Sequence, residues 1–255
     1  MSENTQIKFK RSYRIELADT LQGHYYSIWL KNAEGRERFI GHYISVTTIL
    51  QAYPFSEYLQ KFIGDKGWHE SRAIRDEAGR KGTRIHAGIE MLLNGENLTR
   101  EPNYTTEEWF KIKSFVDWYN EYHPEIIATE LNIFSKKGKY AGRVDCVAKI
   151  NGEITVLDWK SSKSIHESFP LQFAAYANAI EENTDLKIIQ TAALQLGAQN
   201  KNGYRFVVYP DWKDHYKVFE NVRKVWQYDY LDSKKNPKEP PVLELPSTLK
   251  LEVKK

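Results

Sequence analysis

The chain has 255 residues, of which 41% are hydrophobic and 28% charged, a composition typical of one large globular domain. These proportions exclude a disordered, collagen-like or coiled-coil protein. The formal net charge of +3, from 37 basic and 34 acidic residues, does not by itself indicate a nucleic-acid partner. Because Cys146 is the one cysteine, internal disulfides and sites built from four thiolates of this chain, such as iron–sulfur clusters, are also excluded.

Targeting and membrane segments are not expected. The sequence contains no apolar run of about eighteen residues, and the first residues lack the hydrophobic stretch of a signal peptide. The single cysteine fits a reducing compartment. We therefore expect a cytoplasmic protein of a bacterial or phage-infected cell that does not contact a membrane.

The N-terminal part of the chain predicts β-structure followed by helices. Residues 1–44 alternate between apolar and polar side chains around a turn-forming sequence at 32–35, which predicts a β-hairpin region. From Ser45 the hydrophobic period becomes helical, and residues 45–124 predict a helical region. Its helices are predicted as short pieces broken at Pro54 and Gly64, then longer helices over 68–93 and 105–122.

Residues 125–232 alternate strands and helices, as in an α/β core. The predicted elements are strands over 126–134, 140–150 and 153–161, a helix over 169–182, strands over 188–196 and 204–209, and a helix over 214–230. This order predicts an α/β fold with a mixed central β-sheet flanked by helices. Residues 233–255 hold four prolines and many lysines, and we expect an extended tail there.

An Asn-Gly dipeptide at 151–152 predicts a tight turn between two strands of this core. A two-residue turn at this position places Asp145 opposite Asp158. Directly opposed residues bring their Cβ atoms to about 4.5–5.5 Å, so the two carboxylates should repel each other. Lys160 lies two residues beyond Asp158 on the same face, roughly 6.6 Å along the strand.

The opposite face of this hairpin is predicted to be apolar, with Val144, Cys146, Ala148, Leu157 and Trp159. Strands covered on both faces are buried, and burying two carboxylates and a lysine costs free energy unless they bind something. A divalent cation would offset this cost, because Mg²⁺ and Mn²⁺ prefer carboxylate oxygens. Such an ion could polarise a phosphodiester and activate a water molecule, while the lysine orients or deprotonates that water or stabilises negative charge.

A structural ion pair is the alternative explanation of the same residues. In that interpretation Asp158 and Lys160 pair with each other and Asp145 is partly exposed. The short D-x-K pattern is common, so only the opposed second aspartate favours the metal site.

Four motifs follow one another in the order typical of one nuclease superfamily. They are Gly-Thr-Arg-Ile-His at 82–86, Gly-Arg-Val-Asp at 142–145, Asp-Trp-Lys at 158–160 and Gln-Phe-Ala-Ala-Tyr at 172–176. Together they resemble the PD-(D/E)XK superfamily in its RecB-like branch, with Val144 in place of the proline of the superfamily name. Residues 45–50 resemble the N-terminal signature of relatives that include the mitochondrial genome maintenance exonuclease and phage-encoded homologues. The resemblance covers about residues 45–182 and implies a restriction-endonuclease-like core.

The resemblance also implies roles for individual residues. The implied metal ligands are His86, Asp145, Asp158, the backbone carbonyl of Trp159 and, with less support because the loop at 135–139 leaves its register open, Glu130. Lys160 is the implied catalytic lysine, acting with Asp158 and Asp145. Residues predicted to support the site or to contact DNA are Thr83, Ser161, Ser162, Lys163, Gln172 and Tyr176, although each is also compatible with an ordinary surface or packing role.

We therefore predict a metal-dependent deoxyribonuclease that uses Mg²⁺ or Mn²⁺ and has no iron–sulfur cluster. The resemblance favours an exonuclease that acts on single-stranded DNA in recombination, replication or repair, with proteins of these processes as further partners. Three alternatives remain: an endonuclease of the same superfamily, a catalytically silent nucleic-acid-binding module with this fold, and an unrelated α/β protein.

Overall fold

The structure, a computed structural model, describes residues 7–20, 23–100 and 103–231. The predicted tail at 233–255 therefore lies outside the described residues. The N-terminal elements are strands β1 (Ser12–Thr20), β2 (Gly23–Lys31) and β3 (Glu37–Ser45), then helices α1 (Val46–Ile49), α2 (Glu57–Lys66), α3 (Trp68–Leu93) and α4 (Thr106–Tyr122). A short 3₁₀ turn, Leu50–Ala52, follows α1.

The C-terminal elements alternate as the sequence predicts. They are β4 (Glu125–Ser135), β5 (Tyr140–Ile150), β6 (Glu153–Lys160), α5 (Phe169–Asn183), β7 (Gln190–Leu196), β8 (Tyr204–Tyr209) and α6 (Trp212–Trp226), which continues into a π turn over Gln227–Leu231. The described part of the chain thus forms an eight-stranded mixed sheet with six helices, which confirms the predicted α/β fold.

Strand β5 is the branch point of the sheet. The strand order is β1-β2-β3-β5-β6-β7-β8, and β4 lies along the other edge of β5. The edge of β5 opposite β4 pairs with two strands. Strand β3 runs parallel to β5 at Tyr140 and Ala141, and β6 is antiparallel to β5 from Cys146 to Ile150. Residues 142–145 lie between these two pairings and form a fork in the sheet. Asp145 is the last residue of the fork before β6 begins to pair.

The hairpin around the Asn-Gly turn has the predicted register, because Val147 lies opposite Val156 and Ile150 opposite Glu153. The predicted N-terminal hairpin is also present as β2 and β3, and β1 extends it to three antiparallel strands. The predicted break at Gly64 is wrong. Helix α2 runs through Gly64 and ends at Gly67, whose φ of 74° is a conformation that glycine adopts without steric cost.

Two hydrophobic cores lie on opposite faces of the sheet. The first packs α5 and α6 against Val147 and Val156, and the second packs α3 and α4 against Cys146, Leu157 and Trp159. Neighbouring residues of a strand point to opposite faces, so the helices form a layer on each side. The expected alternation fails at Val144, which packs with the first core instead of the second, at the fork where β5 leaves its regular pairing.

Helices α2 and the first half of α3 project beyond these cores. Between Trp68 and Arg84 Ser71 is the only buried residue, and α2 has none. Helix α3 becomes buried only at Ile85, Gly88 and Ile89. We call residues 57–84 the projecting arm. None of the described helices combines the length and apolar character needed to cross a membrane.

Candidate metal centre

The predicted site residues come together at the fork of the sheet. Glu130 is on β4, Asp145 on β5, Asp158 and Lys160 at the end of β6, His86 on α3 and Gln172 on α5. The β5–β6 ladder ends one pair before Asp145 and Asp158, at Cys146 and Leu157. The side chain of Asp145 instead caps the neighbouring strand, since its Oδ2 accepts a hydrogen bond of 3.1 Å from the Trp159 amide.

Three side chains form a cluster with the geometry of a metal site. One donor atom each of His86, Glu130 and Asp145 lies within 4.8 Å of the other two. His86 Nδ1 is 3.6 Å from Asp145 Oδ1. The register of Glu130, open in the sequence, is now defined: its neighbours on β4 pair with Cys146 and Val144, so Glu130 lies beside Asp145.

The backbone at Glu130 is strained in a way that fits a functional position. Its φ is 49°, a conformation that costs a residue other than glycine about 1–3 kcal/mol and that concentrates at functional sites. One carboxylate oxygen, Oε2, pairs with the Arg143 guanidinium. The other, Oε1, is buried and has no hydrogen-bond partner among the described residues. An acceptor in this state is available to a cation.

Burial opposes negative charge in this cluster. Burial, followed by the nearby charge of Asp158, raises the pKa of Asp145 well above its usual range. Burial also raises the pKa of Glu130, which Arg143 lowers in part and Glu90 raises further. Two carboxylates that resist ionisation side by side would be stabilised in their charged form by a positive ion between them.

The imidazole of His86 is neutral at physiological pH. Burial is the largest influence on it and lowers its pKa to about 4, against the opposing charge of Asp158. A neutral imidazole is the form that coordinates metals. The nearby Trp159 backbone partly opposes this decrease in the pKa. The His86 ring also lies edge-on to the Trp159 ring, with the ring centroids 6.1 Å apart.

The lysine of the third motif lies in a connected polar chain. Lys160 Nζ is 2.6 Å from Asp158 Oδ2 and donates to Gln172 Oε1 at 3.2 Å. Gln172 Nε2 in turn donates to the Tyr176 hydroxyl at 2.9 Å. The ammonium lies 4.6 Å from the centre of the Phe169 ring, so an aromatic wall also limits its movement.

Glycine in the second motif has a packing reason that the sequence did not reveal. A Cβ atom at Gly142 would be 2.5 Å from the Tyr176 ring. The ring therefore lies directly on the β5 backbone, three residues before Asp145. Gly82 of the first motif similarly lets α3 approach the segment after β6, because a Cβ there would be 3.3 Å from Ser161 Oγ.

Two residues that the sequence did not single out hold the segment after Lys160. Lys111 on α4 donates to the Ser161 carbonyl at 2.9 Å. Gln195 on β7 donates to the carbonyls of Ser162, at 3.2 Å, and Lys163, at 2.7 Å. These bonds use the backbone of 161–163 and leave the side chains of Ser162 and Lys163 exposed beside the cluster. No local pattern signals Lys111 or Gln195, because both are far from the motifs in sequence.

Thr83 is the one predicted residue that the structure leaves outside this arrangement. Its side chain is exposed, and its hydroxyl donates to the Gly79 carbonyl of the same helix at 3.1 Å. It lies one turn before His86 on α3.

Comparison with known proteins shows that the chain has distant homologues among exonucleases. It is 24% identical over 214 residues to "Mitochondrial genome maintenance exonuclease 1" of Homo sapiens, a match that covers 75% of this chain and 59% of the relative. It is 28% identical over 162 residues to the protein of the same name from Xenopus tropicalis, over 55% of this chain and 44% of the relative. The matches thus span only about half of each relative. No protein-family model matches the chain.

This homology confirms the resemblance inferred from the four motifs, since the matched relatives are PD-(D/E)XK nucleases of the RecB-like type.

Proposed function

We propose that this distant homologue of mitochondrial genome maintenance exonuclease 1 is a nuclease that hydrolyses phosphodiester bonds of DNA with a divalent metal ion. The observation that carries the proposal is the convergence of His86, Glu130 and Asp145 to within 4.8 Å, beside Lys160. One helix and three consecutive strands supply these residues. Such a concentration of buried ionisable groups is typical of a functional site.

The residues of the cluster fit Mg²⁺ or Mn²⁺. Carboxylate oxygens suit these hard cations, and the free oxygen of Glu130 supplies an acceptor that no protein donor satisfies among the described residues. His86, Glu130, Asp145, Asp158 and the Trp159 carbonyl are the residues that would hold the ion. A bound divalent ion would polarise the phosphodiester and lower the pKa of a water molecule.

The ammonium group of Lys160 can stabilise the negative charge that develops on the phosphate during hydrolysis. Asp158 and Gln172 hold its ammonium from two directions, so the group is positioned before substrate arrives. From there it can donate to a phosphate oxygen as negative charge develops, or orient the attacking water. Because positioned donors cost no reorganisation during the reaction, this arrangement favours catalysis over a merely structural role.

An ordinary ion pair does not explain the whole arrangement. The Asp158–Lys160 pair that this alternative requires is present. However, the alternative gives no reason for a strained Glu130 with an unpaired buried oxygen beside a second buried carboxylate, Asp145. The metal-site interpretation accounts for both features.

Single-stranded DNA is the substrate that the projecting arm favours. The arm carries Tyr58 and Trp68 with exposed fractions of 78% and 54%, and Arg75 lies 5.9 Å from the Trp68 ring. Exposed aromatic rings with nearby arginines are typical of surfaces on which unpaired bases stack. Trp68 and Arg75 lie on α3, the helix that also carries His86, so bases stacked on this part of the arm would be on the helix that reaches the cluster. Together with the homologous exonucleases, this supports an exonuclease of recombination, replication or repair.

Incubation of the purified chain with end-labelled linear and circular single-stranded DNA tests the proposal. We expect digestion with Mg²⁺ or Mn²⁺, none with a chelator, and cleavage of the linear form alone. Cleavage of both forms would identify an endonuclease instead. Metal-independent DNA binding without any cleavage would identify a catalytically silent binding module.

A further inference from the structure

A dense group of positive charges lies away from the metal centre, around the C-terminal end of α5. Two segments supply it, one before β1 and the other in the loop between β4 and β5. Its members are all exposed: Lys8, Lys10, Arg11, Lys136, Lys137 and Lys139. We call these six side chains the basic surface.

Direct contacts hold the first segment against α5. Phe9 forms a β-bridge with Thr184, and the Lys10 amide donates to the Asn183 carbonyl at 2.8 Å. The side chain of Asn183 donates in turn to the Phe134 carbonyl on β4 at 2.6 Å. The ring of Phe134 packs against Tyr13 of β1, with centroids 4.8 Å apart. The N-terminal segment is thereby fixed next to the β4–β5 loop.

The loop is held in one shape by a carboxylate. Glu182 of α5 accepts hydrogen bonds from Ser135 Oγ at 2.7 Å and from the Lys137 amide at 3.1 Å. The Gly138 amide also donates to Ser135 Oγ, at 2.8 Å. These bonds satisfy the backbone of the loop from within, while the lysine side chains remain exposed.

The charges of the basic surface are poorly balanced by acidic groups. Two of the described carboxylates contact these segments directly, Glu182 and Asp185. Glu182 is engaged by the loop, and Asp185 is 95% exposed and 3.6 Å from the Lys10 ammonium. Six positive charges against two negative ones leave an excess of four, whereas the entire chain has a formal net charge of +3. The basic surface therefore carries a local excess of positive charge.

Both α5 and β5 connect the basic surface to the metal centre. Gln172 at the site and Glu182 at the surface are ten residues apart on α5, which corresponds to about 15 Å at the helical rise. Tyr140 and Asp145 are five residues apart on β5, or about 17 Å at the strand rise. Even at the compact phosphate spacing of about 3.4 Å that a strand has in B-DNA, this distance spans at most about five phosphates, and a more extended single strand spans it with fewer.

We propose that the basic surface binds the phosphate backbone of the DNA whose end is cleaved at the metal centre, a few phosphates from the scissile bond. The proposal rests on the proposed nuclease function and adds a second contact to it. Lysine and arginine side chains that neutralise phosphates supply affinity without sequence preference. This is what a nuclease that moves along a strand requires.

The test compares the triple variant Arg11→Ala, Lys136→Ala, Lys137→Ala with a matched control. The control, Lys149→Ala, Lys201→Ala, Lys224→Ala, also removes three exposed positive charges but at other places on the surface. Single-stranded substrates of about three and about thirty nucleotides are digested with Mg²⁺, because only the longer one can span both contacts.

For the long substrate we expect KM of the triple variant to rise about tenfold with kcat unchanged, and no change for the short one. The slope of log KM against log salt should fall by about two, since each lost contact to single-stranded DNA contributes about 0.7. Equal KM values for the triple variant and the control on the long substrate would overturn the proposal while leaving the nuclease function intact.

Binding of labelled DNA in the presence of a chelator tests the proposed phosphate contact separately from the proposed nuclease function. The triple variant should bind the long strand about tenfold more weakly than the control does. If this difference appears but no metal supports cleavage, the nuclease function fails and the DNA contact stands. If the chain binds phosphatidylserine vesicles through these residues and does not bind DNA, the proposal is overturned.

Discussion

The two halves of the candidate site differ in how far their carboxylates are paired with positively charged protein groups. On the β6–α5 side, the Asp158 carboxylate pairs with Lys160, and Gln172 satisfies the same ammonium. On the β4–β5 side, Asp145 and Glu130 lie together with pKa values raised by burial, next to a neutral His86. In the first half, protein groups balance the charge of the carboxylate. In the second half Arg143 pairs with Glu130, which leaves the charge of Asp145 without a positively charged partner beside the neutral His86.

This difference predicts that one half mainly binds the metal ion and the other mainly positions the catalytic lysine. The unbalanced half needs a cation to be stable in its charged form, so its residues should determine whether binding of metal stabilises the fold. The balanced half keeps Lys160 in position with or without an ion, so its residues should determine the rate of cleavage. Substitutions on the two sides should therefore produce different kinds of defect.

The largest effect should come from Asp158→Asn. The substitution keeps the size of the side chain but removes the charge that holds Lys160 and a proposed metal ligand. We expect the rate of DNA cleavage to fall about a hundredfold to a thousandfold, as when a key electrostatic group is lost. DNA binding in chelator should be unchanged, because phosphate contacts elsewhere set affinity. Kinetics on end-labelled DNA measure this.

A matched control is Asp117→Asn on α4, which removes a half-exposed carboxylate that pairs with Lys113 away from the site. Its cleavage rate should equal that of the unmodified protein. A rate for Asp158→Asn within tenfold of the control would contradict a catalytic role for the balanced half.

The next effect concerns stability in the presence of metal. Saturating Mn²⁺, at about a hundred times its dissociation constant, should stabilise the unmodified protein by about 2.7 kcal/mol, and Asp145→Asn should abolish most of this gain. Without metal the variant should be at least as stable, because it removes a buried carboxylate whose charge burial disfavours. The asparagine oxygen can still accept from the Trp159 amide.

Thermal unfolding with and without Mn²⁺ checks both parts. If the melting temperature of Asp145→Asn fell in metal-free buffer, the β4–β5 side would not be the unbalanced half that we describe.

Gly142→Ala should disturb the contact between the two halves, where the Tyr176 ring of α5 packs on the β5 backbone. The new methyl group would be 2.5 Å from the Tyr176 ring, and overpacking of this kind costs about 1–3 kcal/mol. Urea denaturation measures the loss. Gly79→Ala is the control: it lies in exposed α3 with nothing within 4 Å of a new Cβ, so helix propensity should stabilise it by up to about 1 kcal/mol. Equal effects would mean that Tyr176 does not lie on β5.

The smallest effect should come from Tyr176→Phe, which removes the hydroxyl that accepts from Gln172. Loss of one buried hydrogen bond costs about 1 kcal/mol. Because Gln172 becomes less restrained next to Lys160, kcat should fall severalfold while KM is unchanged. Tyr228→Phe, at a hydroxyl on an exposed ring outside the projecting arm, should change neither constant. An altered KM with normal kcat would assign Tyr176 to DNA binding instead of positioning.

Local chemistry made much of the fold predictable. The Asn-Gly turn fixed the register of β5 and β6, because a two-residue turn leaves one way to pair the flanking strands. Periodicity predicted α3 and α4 almost to the residue. Gly64 was misjudged because glycine breaks a helix only where its backbone conformation changes, and here that occurs at Gly67.

The sequence by itself determined which residues are chemically capable of forming a site: two aspartates near one turn, a lysine beyond them, and a histidine on a helix. Only the tertiary structure decided that Glu130 joins them through a strained backbone, that Lys111 and Gln195 hold the segment after the lysine, and that two basic segments meet beside α5. These features depend on contacts between segments far apart along the chain. Neither periodicity nor turn chemistry encodes such contacts, because both act only between near neighbours in sequence.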